Sequence, residues 1–462
     1  MLREFIAKLR KKGTLYEIKK TIPNDGILTA IMQKLDGKTI LIHNFKNFSS
    51  FKLISGLVGS RENIALALNT TTDKLYDSIN KAMGRLKKPK KSGTSPSFME
   101  NRLVGDSLSL DILPIQRFFE SDGGPYITSA LVIAKDPEQE FQNISFHRLM
   151  KLDKNHFAIR LVPRHLYTIF EKYKKMGKDT PIAIVIGVHP AVLFAASYPL
   201  PYGSDELWLA NAFLKNKLEV SYLEDVDAFV PSHAEIVMTG VIKHDILHEE
   251  GPFVDITGTR DIIRKQPVVE ISEIYYRNDP YYYTILPAGY EHRILMGMPK
   301  EVKIYEAVKA VLPTVKQVNM TVGGCGWLHA IISIEKQTDG DPKNVMLAAF
   351  AAHPSLKHCV VVDDDIDVYN LNEVEWAIAT RFNGEDDLLI VKNVRGSSLD
   401  PSADQKSLLT TKIGLDATIP LTKNKDEFKK VKIENDIDIP VSYTHLRAHE
   451  TRHDLVCRLL LE

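Results

Sequence analysis

Apolar residues recur at three- and four-residue spacing through the first 90 positions of the chain, and this spacing predicts amphipathic helices. One short apolar run among them predicts a strand. The predicted helices cover residues 2–12, 62–68 and 72–87, and the predicted strand covers residues 39–43. Helices mixed with a strand in this way indicate a small α/β or α+β lobe.

Residues 111–299 follow a different pattern, in which short apolar runs are separated by Gly and Pro. These runs predict five strands, at residues 126–134, 156–162, 182–188, 234–242 and 268–276. Strands that follow one another with turn residues between them are typical of an antiparallel, β-rich domain.

Helices and strands alternate again from about residue 300. We predict helices at residues 301–311, 343–352 and 373–380, and strands at residues 330–336, 358–362 and 388–392. Such alternation indicates a parallel sheet in a separate domain. The predicted organisation is therefore an N-terminal lobe at 1–110, a β-rich domain at 111–299 and an α/β domain at 300–441.

Two segments differ in composition from their surroundings. Residues 85–97 are basic and then rich in Gly, Ser and Pro, and we interpret them as a solvated linker rather than a nucleic-acid patch. Residues 442–462 resemble translated sequencing-adapter sequence and are interpreted as a non-native tail, so the natural chain is expected to continue beyond Val441. The HExxH match from His449 to His453 lies in this tail and is not taken as a zinc-peptidase site.

The charge balance narrows the function classes. Lys and Arg number 59, as do Asp and Glu, so the net charge is zero, which argues against nucleic acid or an anionic membrane surface as a partner. No apolar run is long enough to span a bilayer. The three cysteines, Cys325, Cys359 and Cys457, are far apart and form no disulfide framework or zinc knuckle. We expect a cytoplasmic protein.

Common cofactor and nucleophile fingerprints are absent from the sequence. The glycines at 323–326 lack the GxGxxG spacing, the residues at 37–39 are not part of a P-loop, and no GxSxG occurs. We interpret residues 323–327 as a tight turn. The aspartates at 363–365 are predicted to cap a turn after a strand rather than to form a second metal site.

Several polar residues lie in otherwise apolar surroundings, and ordinary hydrogen bonding would explain each of them alone. Taken together, their motifs resemble the UbiD family of decarboxylases, which use prenylated flavin mononucleotide (prenylated FMN). The resemblance extends from the N-terminal helix to about Thr418. It rests on NISFHR (143–148), EGPFVDITG (250–258), VVDDDIDVYN (361–370), WAIATR (376–381) and KIGLDAT (412–418).

The resemblance implies a fold and a set of cofactors. The implied fold is an N-terminal α/β lobe, a central split β-barrel that holds the flavin and a C-terminal α/β oligomerisation domain. The implied cation is Mn²⁺ or Mg²⁺, held by Asn143, His165 and Glu206 and bridging to the cofactor phosphate, with K⁺ as a further candidate. The positions that resemble the flavin-contacting residues of the family are Phe146, His147, Arg148, Arg160, Leu161, Val162, His165 and Lys412.

The resemblance also implies the catalytic residues Arg148, Glu250 and Asp255. Decarboxylation leaves an electron pair on carbon, so it needs an electron sink, which the flavin supplies, and afterwards a proton donor. By family position, Asp255 donates the proton, Glu250 tunes Arg148, and Arg148 holds the substrate carboxylate. Burial and mutual repulsion are expected to keep one of the two acids protonated.

The segments FVDITGTRD and SFHRLM look most similar to the archaeal-type branch that decarboxylates anhydromevalonate phosphate. This likeness implies that trans-anhydromevalonate 5-phosphate is converted to isopentenyl phosphate, with Arg260, His147 and Arg164 as candidate phosphate ligands. Polyprenyl-4-hydroxybenzoate is the alternative substrate, and a non-catalytic flavin-binding module or a subunit inactive by itself are the alternative roles. Expected partners are a small carboxylic acid, a flavin prenyltransferase that supplies the cofactor, and further copies of the chain in a homodimer or higher homo-oligomer.

Overall fold

The computed structural model describes residues 1–23, 25–48 and 50–431. Within these residues the helices are α1 (Leu2–Lys11), α2 (Asp25–Lys34), α3 (Arg61–Ala67), α4 (Leu75–Met83), α5 (His165–Lys175), α6 (Pro190–Ser197), α7 (Glu206–Phe213), α8 (Tyr290–Val311), α9 (Asp341–Ala352) and α10 (Leu371–Arg381). The strands are β1 (Leu15–Ile18), β2 (Thr39–Ile42), β3 (Lys52–Ser55), β4 (Lys90–Lys91), β5 (Asn101–Val104), β6 (Tyr126–Ile127), β7 (Leu131–Lys135), β8 (Gln142–Phe146), β9 (Leu149–Lys151), β10 (His156–Ile159), β11 (Thr180–Ile186), β12 (Glu219–Leu223), β13 (Ala228–Pro231), β14 (Ile236–Glu250), β15 (Phe253–Val254), β16 (Arg260–Asp261), β17 (Arg264–Tyr276), β18 (Tyr281–Tyr283), β19 (Val315–Met320), β20 (His329–Ile334), β21 (His358–Asp363), β22 (Leu388–Arg395) and β23 (Leu409–Ala417).

The N-terminal elements form where the apolar spacing predicts them. Helix α1 buries Leu2, Phe5, Ile6 and Leu9 on one face and keeps its lysines on the other. A four-stranded sheet in the order β1-β2-β3-β18 follows. Its last strand, β18, comes from far along the chain and pairs in parallel with β3, so this sheet is completed by residues outside the predicted lobe.

The central sheet has nine strands and carries most of the candidate site. Its order is β6-β9-β10-β17-β14-β11-β7-β8, with β5 paired to the last residues of β17, and every pair is antiparallel. The sheet curls into a half-barrel, so the predicted antiparallel, β-rich architecture is confirmed.

One strand of this sheet is longer than its sequence pattern indicates. The predicted strand ends at residue 242, whereas β14 continues to Glu250 and pairs with β17 over this added length. The pattern was misleading because residues 245–249 are exposed and lack apolar alternation. The extension carries Glu250 to a buried position at the end of the strand.

The C-terminal sheet is mixed, so the prediction of a parallel sheet is wrong for its outer strands. In the order β19-β20-β21-β23-β22, the three central strands are parallel, whereas β19 and β22 are antiparallel to their neighbours. A parallel neighbour needs a crossover connection, usually a helix. The chain segments from β19 to β20 and from β22 to β23 contain no helix, so these pairs form antiparallel connections.

Helix α8 begins earlier than predicted. The predicted helix starts at residue 301, after Pro299. A proline inside a helix normally ends or kinks it, at a cost of about 3 kcal/mol. In the structure α8 runs from Tyr290 through Pro299. Leu295, Met298 and Val302 on either side of the proline are buried, and their packing outweighs that cost.

The predicted linker is partly structured. Lys90 and Lys91 are exposed, but they form β4, which pairs in parallel with β12 in the three-stranded sheet β13-β12-β4. The interpretation of residues 85–97 as a solvated linker stays a prediction.

The chain divides into two compact units, Met1–Thr418 and Ile419–Glu462. In the second unit the described residues end at Val431 and include a 3₁₀ turn at Lys425–Phe428.

The predicted boundaries at residues 110 and 299 stay predictions. The predicted non-native tail, its HExxH match and Cys457 lie outside the described residues. No helix in the described part of the chain combines the length and apolarity needed to cross a bilayer.

Candidate active site

The site is organised around the Arg148 side chain, which lies between β8 and β9 and is only 9% exposed. Its Nε and one Nη donate to the two carboxylate oxygens of Glu250, each at 2.8 Å. The other Nη donates to Asp255 Oδ2 at 2.7 Å. The three predicted catalytic residues, Arg148, Glu250 and Asp255, are therefore brought together in one hydrogen-bonded group.

Glu250 is the most enclosed member of this group. Its side chain is fully buried, and Tyr126 donates its hydroxyl to Oε1 at 3.0 Å. Burial, followed by the charge of Glu250, raises the pKa of Tyr126, so this hydroxyl keeps its proton and remains a donor. The centre of the Phe253 ring lies 4.6 Å from Arg148 Cζ, so the ring covers one face of the guanidinium.

The hairpin β15–β16 positions Asp255, and we call residues 251–261 the acid hairpin. Phe253 pairs with Asp261 and Val254 with Arg260, so Asp255 lies in the connecting turn. Its Oδ1 accepts the backbone N–H of Ile256 at 2.7 Å, while Oδ2 faces Arg148. Gly251 begins the hairpin with φ of +102°, a conformation that favours glycine.

A third carboxylate, which the sequence analysis missed, also contacts Arg148. Asp261 Oδ2 accepts from an Arg148 Nη at 3.0 Å, and its Oδ1 accepts from Arg264 Nη1 at 2.5 Å. Burial alone would raise the pKa of Asp261, but the hydrogen bond from Arg264 and the charge of Arg148 outweigh burial and lower it. A sequence signal for it exists: the Thr-Gly-Thr turn at residues 257–259 predicts a hairpin, and a hairpin places Asp261 opposite Phe253.

These charges also act on Arg148 itself. Burial tends to lower the pKa of this guanidinium, but the hydrogen bonds to Glu250 and the charges of the three acids outweigh burial and raise it. Arg148 therefore remains a cation throughout the physiological pH range. A buried, permanent cation with a planar fork is suited to holding a second, transient carboxylate.

The three predicted metal-holding residues also converge. Glu206 is the first residue of α7, after Asp205, which caps the helix by accepting the N–H of Leu207 at 2.8 Å. Glu206 Oε1 lies 3.1 Å from Asn143 Nδ2 and 3.9 Å from His165 Nδ1. An amide and an imidazole, each within 4 Å of the same carboxylate oxygen, form with that carboxylate a donor set that suits a hard divalent cation.

Two of the predicted flavin-contacting residues, His147 and Arg160, link these two groups. His147 bonds through Nδ1 to the carbonyl of Arg160 at 3.1 Å and through Nε2 to Ser145 Oγ at 3.0 Å. Burial lowers the pKa of His147 to about 4, so it is neutral near pH 7. Arg160 Nε lies 3.9 Å from Asp261, which connects this segment to the acid hairpin.

The other predicted contact positions differ in their surroundings. The Leu161 N–H donates to Gln266 Oε1 at 2.8 Å, which fixes the backbone after β10. Phe146 ends β8 and pairs with Leu131, and Val162 is 37% exposed. Phe146 thus lies on one strand of the curled sheet, and Leu161 and Val162 follow another of its strands.

Lys412 is placed apart from these groups. It lies on β23, where its Nζ donates to the carbonyls of Pro354 and Leu356, both at 2.7 Å. Burial lowers its pKa to about 8. No hydrogen bond or ion pair in the described residues joins Lys412 to Arg148 or to the predicted metal-holding residues, so its predicted contact with the flavin stays a prediction.

His292 on α8 is a second residue that the sequence analysis missed. Burial is the largest influence on its pKa and lowers it. The nearby charge of Asp255, in the acid hairpin, acts in the opposite direction. Its Nδ1 accepts the N–H of Ala288 at 3.2 Å. No signal identified His292, because the predicted helix began only at residue 301.

Two motifs were predicted to be structural: the tight turn at residues 323–327 is confirmed, whereas the capping role of the aspartates at 363–365 stays a prediction. Arg381 donates to Asp363 at 2.8 Å and to both oxygens of Asp365, at 2.9 and 2.7 Å, so these aspartates belong to an ion-paired turn. The glycine-rich segment from Gly323 to Trp327 is a tight turn in which the N–H of Gly326 donates to the Thr321 carbonyl at 2.8 Å.

Comparison with known families agrees with this geometry. Three family models match the chain: the 3-octaprenyl-4-hydroxybenzoate carboxy-lyase N-terminal domain at residues 6–83, its Rift-related domain at 89–290 and its C-terminal domain at 293–417. The chain belongs to the UbiD family. The predicted family, the mixed α/β fold and the carboxy-lyase class are thereby confirmed.

Relatives within the UbiD family match the chain over most of its length. The anhydromevalonate phosphate decarboxylase of Methanothermobacter thermautotrophicus is 44% identical over 93% of this chain and 99% of its own length. That of Methanocaldococcus jannaschii is 42% identical over 88% of this chain and 94% of its own length. Among solved structures, the UbiD-class enzyme HmfF from Pelotomaculum thermopropionicum in complex with FMN has a TM-score of 0.91 and 36% identity, covering 96% of this chain and 99% of that one.

Proposed function

We propose that this chain is a prenylated-FMN-dependent decarboxylase that converts trans-anhydromevalonate 5-phosphate to isopentenyl phosphate and CO₂. The observation that carries the proposal is the group formed by Arg148 and the carboxylates of Glu250, Asp255 and Asp261. Relatives that bear the name anhydromevalonate phosphate decarboxylase, at 42–47% identity, support the choice of substrate.

Arg148 binds the substrate carboxylate in this proposal. Glu250 and Asp261 hold Nε and one Nη, so the remaining Nη, now bonded to Asp255, is the position that a substrate carboxylate can take. Asp255 is the more easily displaced acid, because its side chain is 18% exposed and makes one hydrogen bond to Arg148, whereas Glu250 is fully buried and makes two.

Asp255 donates the proton that replaces CO₂. A substrate carboxylate adds a negative charge beside three acids, and like-charge repulsion favours a bound proton on one of them. Asp255 is the acid in a turn next to the reacting position, and its Oδ1 is fixed by the Ile256 N–H. It can therefore deliver a proton from Oδ2 to the carbon that loses the carboxyl group.

Prenylated FMN, when bound, supplies the electron sink for the carbon–carbon bond cleavage. Asn143, His165 and Glu206 would hold the Mn²⁺ or Mg²⁺ that anchors the cofactor phosphate, with K⁺ as a further candidate. The residues fit such a cation, because the amide can present its oxygen: the Ser145 hydroxyl, which donates to Oδ1 at 2.9 Å, can equally accept from Nδ2.

The proposal also covers partners and location. A flavin prenyltransferase supplies the cofactor, and the chain forms a homodimer or a higher homo-oligomer; one solved relative, 35% identical, is an evolved dimeric form in complex with prenylated FMN. We also propose that the protein is located in the cytoplasm.

The test is to co-express the chain with a flavin prenyltransferase and to offer the purified protein two acids. We expect release of CO₂ from trans-anhydromevalonate 5-phosphate and none from a polyprenyl-4-hydroxybenzoate analogue. Turnover of the aromatic acid alone would overturn the substrate and keep the decarboxylase. Bound prenylated FMN without turnover of either acid would favour a flavin-binding module or a subunit that requires a partner.

A further inference from the structure

Two basic side chains, Lys300 on α8 and Arg164 immediately before α5, have no acidic partner in the described residues. Lys300 forms no ion pair within the described residues, and its Nζ lies 5.5 Å from the centre of the Trp327 ring. Arg164, which precedes α5, likewise has no acidic side chain acting on it in the described part of the chain. By contrast, Arg148 and Arg264, which contact the acid hairpin, are paired with carboxylates.

The Lys300 side chain rests on a firmly held aromatic surface. Trp327 packs edge-on against His353 with ring centres 4.5 Å apart, and its Nε1 donates to Ser397 Oγ at 3.1 Å. His353 Nε2 lies 3.0 Å from the Trp327 carbonyl. We call Lys300, Arg164, Trp327 and His353 the basic wall.

The members of the basic wall lie close to one another. Burial, followed by the positive charge of Lys300 and by smaller contributions from Lys412 and Arg164, lowers the pKa of His353 to about 3. Lys300 itself has a pKa lowered to about 8, mainly by burial and then by the charge of Arg164. Neighbouring cations that have no acidic partner repel one another, and an anion bound between them stabilises them.

The basic wall is held at a defined position relative to the acid hairpin. Arg293 on α8 donates to the carbonyl of Ile256 in the hairpin at 3.4 Å and to that of Val322 in the turn before Trp327 at 3.3 Å. His292, near Asp255, and Lys300 are eight residues apart on α8, a rise of about 12 Å.

A phosphorylated six-carbon acid, with five carbons in its main chain, is shorter than this rise. Six bonds join its carboxyl carbon to its phosphorus, and an extended chain gains about 1.2 Å per bond, so the substrate spans roughly 7 Å. The extended side chain of Lys300 covers most of the difference between this length and the rise of about 12 Å along α8. In the proposal that follows, the substrate carboxylate is therefore on Arg148 and its phosphate on the basic wall at the same time.

We propose that Lys300, assisted by Arg164, binds the phosphate group of the substrate and so selects a phosphorylated acid over an unphosphorylated one. This inference rests on the proposed function. It replaces Arg260 as the leading phosphate ligand, because Arg260 lies in the acid hairpin itself, beside the position where the carboxylate reacts.

The test compares Lys300→Gln and Lys300→Arg with Lys309→Gln, a matched control on an exposed position of the same helix. Loss of one charge-assisted contact to phosphate is expected to raise the KM for the phosphorylated acid by about tenfold or more in Lys300→Gln. The KM for unphosphorylated anhydromevalonate and the flavin content should not change. Lys300→Arg should restore most of the affinity, and Lys309→Gln should match the wild type.

A calorimetric titration with inorganic phosphate and with isopentenyl phosphate tests the subsite without turnover. The flavin-loaded wild type and Lys309→Gln should bind both anions, and Lys300→Gln should bind them at least tenfold more weakly. Equal binding by all variants would overturn the inference even if the decarboxylase activity is found. Loss of flavin from Lys300→Gln would also overturn it, because Lys300 would then hold the cofactor phosphate. If the wild type turns over only an aromatic acid, the proposed function fails, while this titration still decides whether Lys300 binds phosphate.

Discussion

Replacing Asp255 by Asn separates proton donation from the packing of the acid hairpin. The amide has the shape of the carboxyl group and can still accept a hydrogen bond from Arg148 or from the Ile256 N–H, but it has no acidic proton. We expect the variant to keep its flavin and to lose turnover by about 10²–10⁴-fold, the usual contribution of a general acid.

The structure limits how much stability this change can remove. Arg148 keeps two hydrogen bonds to Glu250 and one to Asp261 when Asp255 is replaced. A hydrogen bond to a charged group contributes about 1.5–3 kcal/mol, and partial exposure of Asp255 reduces this, so the free energy of unfolding should fall by about 1–2 kcal/mol. The kinetic loss corresponds to about 3–5 kcal/mol in the activation barrier, which is larger.

Three measurements on the purified variant check this reasoning. Initial rates of CO₂ release give kcat, flavin absorbance gives cofactor content, and denaturant unfolding gives stability. Asp106→Asn, at an exposed position away from the site, is the control and should equal the wild type in all three. The assignment is refuted if Asp255→Asn, with full flavin content, retains more than about a tenth of the wild-type kcat.

Three further predictions follow from the same contacts. Asp261→Asn should reduce the free energy of unfolding more than Asp255→Asn does, because Asp261 joins Arg148 to Arg264; equal losses in denaturant unfolding would contradict its positioning role. Glu206→Gln should lose metal and flavin together, as measured by elemental analysis and absorbance, and a variant with full flavin but no metal would exclude the bridging cation. The pKa of His147 is lowered in the folded state to about 4, below its ordinary 6.5, so its contribution to stability is present above pH 6.5 and is lost as the pH falls toward 4. His147→Gln should therefore flatten the pH dependence of thermal unfolding between pH 4 and 7, and an unchanged profile would show that another group causes it.

The spacing of apolar residues predicted the elements whose formation depends mainly on nearby residues in the chain. The helical spacing of Leu2, Phe5, Ile6 and Leu9 is read directly from the sequence, because one buried face is enough to specify α1. The direction of β19 and β22 and the passage of α8 through Pro299 depend on tertiary contacts. No local pattern carries that information.

The site shows the same division. Arg148, Glu250 and Asp255 were identified because they lie in long motifs that resemble those of a known family. Asp261 and His292 were missed because their roles arise from a hairpin and a helix that bring them to Arg148 and Asp255 in space. Lys300 has no motif, and only its lack of an acidic partner among the described residues makes it a candidate ligand.

The most direct test of the central claim follows the fate of the carboxyl group and its replacement proton. The flavin-loaded enzyme should be mixed in D₂O with trans-anhydromevalonate 5-phosphate labelled with ¹³C at the carboxyl carbon, and the products analysed by mass spectrometry. We predict ¹³CO₂ and isopentenyl phosphate that carries one solvent-derived deuterium at the carbon that lost the carboxyl group, with both signals abolished in Asp255→Asn. Flavin-loaded wild-type protein that releases no ¹³CO₂, or Asp255→Asn protein that gives the deuterated product at the wild-type rate, would contradict the account.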